Sequence, residues 1–166
     1  MMNYLDTLSK IEQWAKDNGY DYEDPHKQYS KLMEEQGRLA TAVTRQMYDK
    51  LSLLDSIGHY QFHLILYCVA RNLDIKQWIA ENMESLNKGV ITNDKESYYY
   101  NPLMTITEFI ALVSSSSNII KCCNNDDDKE KELSEVFRSL LVLKGLTQIY
   151  KSSLLETLEM AYNRMR

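Results

Sequence analysis

Apolar residues recur at helical spacing along most of the chain, and few residues interrupt that spacing. The first stripe is typical, since Leu5, Leu8 and Ile11 fall on one face of a helix. The 166 residues include only five glycines and two prolines, which favours long helices joined by few loops. We therefore predict an all-α helical bundle. Its predicted helices cover residues 4–16, 26–50, 51–71, 73–86 and 105–121, with one or two more over 133–166.

The connections between these helices carry the usual breaking residues. Asn18-Gly19 and Asn72 supply stop signals after the first and third helices. The polar, tyrosine-rich stretch 87–102 and the stretch CCNNDDDKEKE at 122–132 are predicted to be loops. The stretch 145–150 is the weakest part of the last segment, where the helix could bend.

Composition and charge exclude several classes of protein. Apolar residues make up 44% of the chain and charged residues 26%, as in an ordinary globular domain. No apolar run approaches the roughly 18 to 20 residues that span a bilayer, and the first residues lack the order of a signal peptide, so a cytoplasmic protein with no membrane partner is expected. A net charge of −5 without a basic cluster argues against general nucleic-acid binding. The three cysteines lack CxxC spacing, so reduced thiols are expected.

The second predicted helix carries the residues that bear most on function. Glu34 and Glu35 form a carboxylate pair there, and Arg38 follows about one turn later. Carboxylates on two antiparallel helices can hold Mg²⁺ across a bundle, but the ion needs several of them without a nearby cation. Arg38, and His59 on the next helix, work against such a site. Because Glu34 and Arg38 are an i,i+4 pair, the arginine could occupy the place of a metal.

Three sequence blocks resemble the signature blocks of one family. KQYSKLMEEQGRLA, LLDSIGHYQFHLILYCVARNLDI and LLETLEMAYNRMR look like those of phage-type MazG-like proteins, which are all-α nucleoside triphosphate pyrophosphohydrolases. The resemblance implies one MazG-like domain over residues 1–166, with a longer insertion at about 78–144. It also implies Mg²⁺ as the cofactor, a nucleotide or nucleotide-derived ligand, and assembly as a homodimer or tetramer. A phage-encoded member would act in the cytoplasm of the host cell.

The chain departs from the metal motifs of that family. Members hold Mg²⁺ through EExxE on one helix and ExxD on the next, and the metal organises the attack of water on a triphosphate. Glu34 and Glu35 keep the first two acidic positions, whereas Arg38, Ser56 and His59 stand at the other three. The resemblance therefore implies a degenerate active site that binds Mg²⁺ poorly or holds no metal.

Two groups of site residues follow from the resemblance. The acidic group consists of Glu34 and Glu35 as catalytic candidates, joined as weak Mg²⁺ ligands by Asp55, which fits the DSIGD form of phage members. The ligand-binding group consists of polar residues in the matched blocks, namely Lys27, Gln28, Lys31, Arg38, His59, Tyr162 and Asn163. Arg164 and Arg166 could contact phosphate or complement the negative end of the last helix.

The histidines of the third helix offer another interpretation. His59 and His63 are four residues apart, and with Asp55 one turn earlier they could form a face for a softer metal such as zinc. The alternative is two hydrogen-bonded histidines on a partly buried face, because the sequence shows no fourth ligand.

Three functional hypotheses remain open from the sequence. The first is a protein that binds a nucleotide or a nucleotide-derived molecule with little or no turnover, as a phage factor countering host nucleotide signalling would. The second is an active Mg²⁺-dependent pyrophosphohydrolase. The third is a non-catalytic protein-interaction module that binds a host protein, which the acidic loop and the tyrosines at 98–100 would suit.

Overall fold

A computed structural model describes residues 3–45, 50–82, 102–125 and 128–166. These ranges contain seven α-helices, a short 3₁₀ helix at Tyr20–Tyr22 and no strand, so the all-α prediction is confirmed for the described part of the chain. The helices are α1 (Tyr4–Asp17), α2 (Pro25–Thr44), α3 (Lys50–Arg71), α4 (Ile75–Glu81), α5 (Pro102–Asn125), α6 (Lys129–Ile149) and α7 (Leu154–Met165).

Local sequence signals set several of the helix ends. Helix α1 begins at a capping box, in which Asn3 and Asp6 each accept a hydrogen bond from the backbone of the other. It ends before Gly19, whose φ of 78° only glycine adopts easily. Asn72 has a φ of 58° and ends α3, so both predicted stop signals are confirmed.

Other predicted boundaries were wrong. Helix α5 extends to Asn125, so Cys122 and Cys123 are buried helical residues rather than part of a loop. Helix α6 passes through Gly145 without a break and ends at Ile149, so the bend expected over 145–150 falls at the end of that stretch. A helical glycine costs only about 1 kcal/mol, which the burial of Leu143 and Leu146 on the same helix outweighs. Helix α2 ends at Thr44 instead of residue 50.

Helix α3 occupies the centre of the bundle. It packs along α2 and α7 and also touches α1 and α6, while α5 and α6 pack against each other as a second helical pair. The side chains of α3 are correspondingly buried, with Tyr60, Phe62 and Tyr67 among the largest fully enclosed ones. The side chains of α3 that face α2 therefore range from fully buried to partly exposed.

Polar contacts tie α3 to its neighbours. Gln61 accepts a hydrogen bond from the Tyr4 hydroxyl at 3.1 Å and donates one to Thr157 Oγ1 at 2.7 Å, which joins α1, α3 and α7. Glu132, which is fully buried, accepts hydrogen bonds from the Tyr67 hydroxyl and from Arg71 Nε, the latter at 3.1 Å. The second network joins α3 to α6.

The predicted tyrosine-rich loop and the expected absence of a membrane span concern features other than helix packing. The tyrosines at 98–100, and the loop predicted at 87–102 apart from its last residue, lie outside the described residues. None of the helices in the described ranges is long and apolar enough to cross a membrane.

Candidate functional site

The buried face of α2 presents one carboxylate to α3. Glu35 is only 5% exposed and lies between Leu32 and Leu39, which are also buried. The i,i+4 spacing had suggested that Arg38 pairs with Glu34. Instead, Arg38 Nη1 is 3.3 Å from Glu35 Oε1, so the arginine pairs with Glu35. Glu34 is exposed, because adjacent residues on a helix point about 100° apart. The acidic pair is therefore divided between the protein interior and the surface.

The facing side of α3 carries Asp55, His59 and His63 at intervals of four residues. This spacing places the three side chains along one line of the helix. His59 Nε2 is 3.7 Å from Asp55 Oδ1, and Asp55 also accepts a hydrogen bond from Arg164 Nη1 at the end of α7. Asp55 is thus occupied by a cation of a third helix.

Glu35 and the two histidines converge between α2 and α3. One possible ligand atom from each of Glu35, His59 and His63 lies within 4.8 Å of the others. We call these three residues together with Arg38 the Glu35 cluster. Two buried atoms of the cluster, Glu35 Oε2 and His63 Nδ1, have no hydrogen-bond partner among the described residues. Because buried polar atoms are normally paired, they mark the cluster as a candidate binding site.

The surroundings shift the pKa values of two members of the cluster. Burial raises the pKa of the Glu35 carboxyl, although Arg38 and His59 act in the opposite direction. Burial also lowers the pKa of His63 to about 4, and the positive charges of Lys31 and Arg38 add to this effect. His63 is therefore a neutral imidazole at physiological pH.

The residues predicted near the start of α2 are held by local contacts. Lys27 Nζ is 3.0 Å from the Glu23 carboxylate, and buried Gln28 donates a hydrogen bond to the same residue. Gln28 Oε1 is buried without a partner in the described part of the chain. The Lys31 ammonium lies 5.9 Å from the centre of the Tyr20 ring. Of these residues, Lys31 is the one whose charge reaches His63.

The residues predicted near the end of α7 are more exposed. Asn163 is exposed, and the Arg166 guanidinium lies 5.5 Å from the centre of the half-buried Tyr162 ring. Arg164, predicted to contact phosphate or the helix end, binds Asp55. Through Arg164, α7 borders the face of α3 that carries the histidines.

The chemistry of these donors does not fit Mg²⁺. That ion takes oxygen ligands in an octahedral shell, and carboxylates must supply much of its charge compensation. The cluster offers one buried carboxylate, already bound by a guanidinium, and two imidazoles. Such a set suits an anion, which the guanidinium would bind, or a transition metal, which imidazole prefers.

The contribution of Glu35 to the histidine pair was missed from the sequence. Sequence spacing joined His59 and His63 to Asp55, whereas the structure joins them to Glu35 of the facing helix. The only available signal was a buried-side carboxylate on α2 opposite two histidines at i and i+4 on α3. The spacing from Leu32 and Leu39 places Glu35 on the buried side of α2, but only the relative register of the two helices sets it opposite His59 and His63.

Comparison with protein-family models, with curated proteins and with solved structures finds no match to this chain. The MazG-like relationship therefore stays a prediction that rests on the three sequence blocks.

Proposed function

We propose that the protein is MazG-like and binds a nucleotide or nucleotide-derived ligand at the Glu35 cluster, with little or no pyrophosphohydrolase turnover. The supporting observation is the pairing of Arg38 with Glu35, the carboxylate that α2 buries against α3. In the metal motif that the sequence resembles, position 38 carries an acid. A guanidinium at this point opposes a Mg²⁺ ion and attracts a phosphate group.

The charges around the cluster support an anionic ligand without a metal. Three cations, Lys31, Arg38 and Arg164, balance three carboxylates, namely the paired Glu35 and Asp55 and the exposed Glu34. A site with the five acids of the family motif would instead be strongly negative. Near charge balance removes the repulsion that a phosphate would otherwise meet, so the anion needs no Mg²⁺ to neutralise it.

The cluster also offers an accessible cation beside buried polar atoms. The Arg38 side chain is 66% exposed, so it can leave Glu35 and reach a phosphate at the surface. His59 is only 16% exposed. A ligand that enters between α2 and α3 would thus meet charge at the rim and hydrogen-bonding groups inside, an arrangement common in small-molecule sites.

Calorimetry with a panel of nucleotides in EDTA tests the proposal. At least one nucleotide should bind saturably, and Arg38→Ala should weaken that binding about tenfold or more, because a charge-assisted hydrogen bond to phosphate is lost. Arg138→Ala is the matched control. Arg138 is half exposed and lies 3.8 Å from Glu135 in another i,i+3 pair on α6, so its loss should leave binding unchanged.

Two results would contradict this proposal. One is the absence of binding by every nucleotide in the panel. The other is equal binding by the wild-type chain and Arg38→Ala, which would move the ligand away from the Glu35 cluster.

The proposed function includes a role as a phage factor that sequesters or senses a host nucleotide. Such a factor would act in the cytoplasm and would not need turnover. Assembly as a homodimer has one supporting observation, since Ile106, Ile110 and Val113 form an exposed apolar stripe along α5. The same stripe would suit a host protein if the chain were an interaction module. Light scattering would distinguish a dimer from a monomer.

A further inference from the structure

The Glu35 cluster has the composition of a transition-metal site. Glu35 on α2 and His59 and His63 on α3 place one ligand atom each within 4.8 Å of one another. Glu35 is 95% buried, since its exposed fraction is 5%, and its Oε2 atom has no hydrogen-bond partner among the described residues. His63 Nδ1 is likewise buried and without a partner. Each of these two residues thus carries a buried polar atom without a partner, and an ion bound between α2 and α3 would supply one.

We propose that Glu35, His59 and His63 bind one divalent transition ion of the Zn²⁺ type. Two imidazole nitrogens and one carboxylate oxygen are a common set of protein ligands for such ions, whereas Mg²⁺ favours oxygen alone. In a tetrahedral zinc site with bonds of about 2.0 to 2.1 Å, ligand atoms lie about 3.4 Å apart. Side-chain rotations must therefore shorten the separations, which reach at most 4.8 Å here.

The neighbouring charges leave the ligand positions available. Arg38 approaches Oε1 of Glu35, so the unpaired Oε2 can bind the ion while the arginine stays in place. Asp55 is held by Arg164 and lies 3.7 Å from His59 Nε2, outside the group of three. Asp55 can orient His59 without itself serving as a ligand.

Three protein ligands leave a fourth position open. In zinc sites of this kind that position is taken by water or by an oxygen atom of a bound molecule. The inference does not rest on the proposed nucleotide ligand, because the three side chains would hold the ion in its absence. A phosphate oxygen could nevertheless take the open position if both proposals hold.

The test is a titration of the EDTA-treated, dialysed full chain with Co²⁺, followed by Zn²⁺, without any nucleotide. We expect one Co²⁺ per chain with visible d–d absorption, its displacement by one Zn²⁺, and no competition from millimolar Mg²⁺. The absorption should lack the thiolate-to-cobalt charge-transfer band, because the buried thiols Cys68, Cys122 and Cys123 lie outside the proposed ligand set.

Substitutions locate the ion. Glu35→Gln and His63→Gln should each weaken Zn²⁺ binding at least tenfold. His26→Gln should leave it unchanged, since His26 is exposed and bonds to Asp24 and Asn124 instead. If His63→Gln fails to fold by circular dichroism, His59→Gln takes its place, and the same loss is expected.

Three outcomes would overturn the proposal. They are the absence of saturable Co²⁺ or Zn²⁺ binding, binding that folded Glu35→Gln and His63→Gln (or its replacement His59→Gln) leave undiminished, and a thiolate charge-transfer band. Each leaves the nucleotide proposal intact, since that proposal is tested in EDTA.

Discussion

At the scale of the residue, the position of Glu35 illustrates a competition between burial and charge. Removing a carboxylate from water favours its neutral form, so burial raises the pKa of Glu35. Arg38 and His59 favour the ionised form but do not outweigh burial. An acid in this position is retained at a cost in folding free energy, which is typical of residues with a role in binding.

His63 makes a testable contribution to the pH dependence of stability. Its pKa is lowered from 6.5 to about 4 in the fold, so the unfolded chain takes up a proton between these values while the folded chain does not. The free energy of unfolding should therefore fall as the pH decreases from about 6.5 towards 4. We expect His63→Gln to lose less stability than the wild-type chain between pH 7 and pH 5, as measured by urea denaturation in EDTA.

The exposed His26 provides the control for this prediction. Hydrogen bonds to Asn124 and Asp24 raise its pKa, so its contribution has the opposite sign. His26→Gln should therefore lose at least as much stability as the wild-type chain between pH 7 and pH 5. An equal fall in the wild-type chain and His63→Gln would show that His63 is not held neutral by burial.

At the scale of the element, the contact between α3 and α7 depends on a residue without a side chain. A methyl group on Gly58 would overlap the backbone carbonyl oxygen of Thr157. The close approach brings the end of α7 beside α3, where Arg164 binds Asp55. Gly58 thus places a cation of α7 next to the histidine face of α3.

Gly58→Ala should destabilise the protein. The methyl group would push apart two backbones that cannot rearrange as a flexible side chain could, so a loss of about 3 kcal/mol or more is expected. Gly37→Ala is the control, because a methyl group there would meet no atom within 4 Å. It should raise the free energy of unfolding by about 0.5 to 1 kcal/mol, the usual gain for a helical glycine. Equal effects in thermal or urea denaturation would contradict the close contact.

The elements themselves could largely be read from the sequence. Helical periodicity and stop signals such as Gly19 and Asn72 are local properties, and they identified the described helices. The exceptions at Gly145 and at Cys122-Cys123 were decided by tertiary burial, which a local signal does not contain. The prediction of the site from the sequence was limited in the same way. Glu35 lies beside His59 and His63 because of the register between two helices, and no spacing within one helix encodes that register.

At the scale of the whole molecule, α3 connects the candidate site to the rest of the fold. Side chains of α3 lie beside Glu35 of α2 and bind Arg164 of α7. In the last turn of α3, Arg71 pairs with the fully buried Glu132 of α6. Buried ion pairs of this kind tolerate the loss of one partner poorly. The histidine face is thus carried by the best-anchored helix of the bundle, which suits a preformed binding site.

The central claim is that this bundle binds a ligand at a metal site that has lost its pyrophosphohydrolase chemistry. Its most direct test is pyrophosphate release from a panel of nucleoside and deoxynucleoside triphosphates with Mg²⁺ or Mn²⁺, beside an active MazG-type enzyme as the positive control. Little or no release by the wild-type chain is predicted, because Arg38 and His59 stand where the family motif has acids. Metal-dependent release that Glu35→Gln abolishes would contradict the claim and would establish an active enzyme instead.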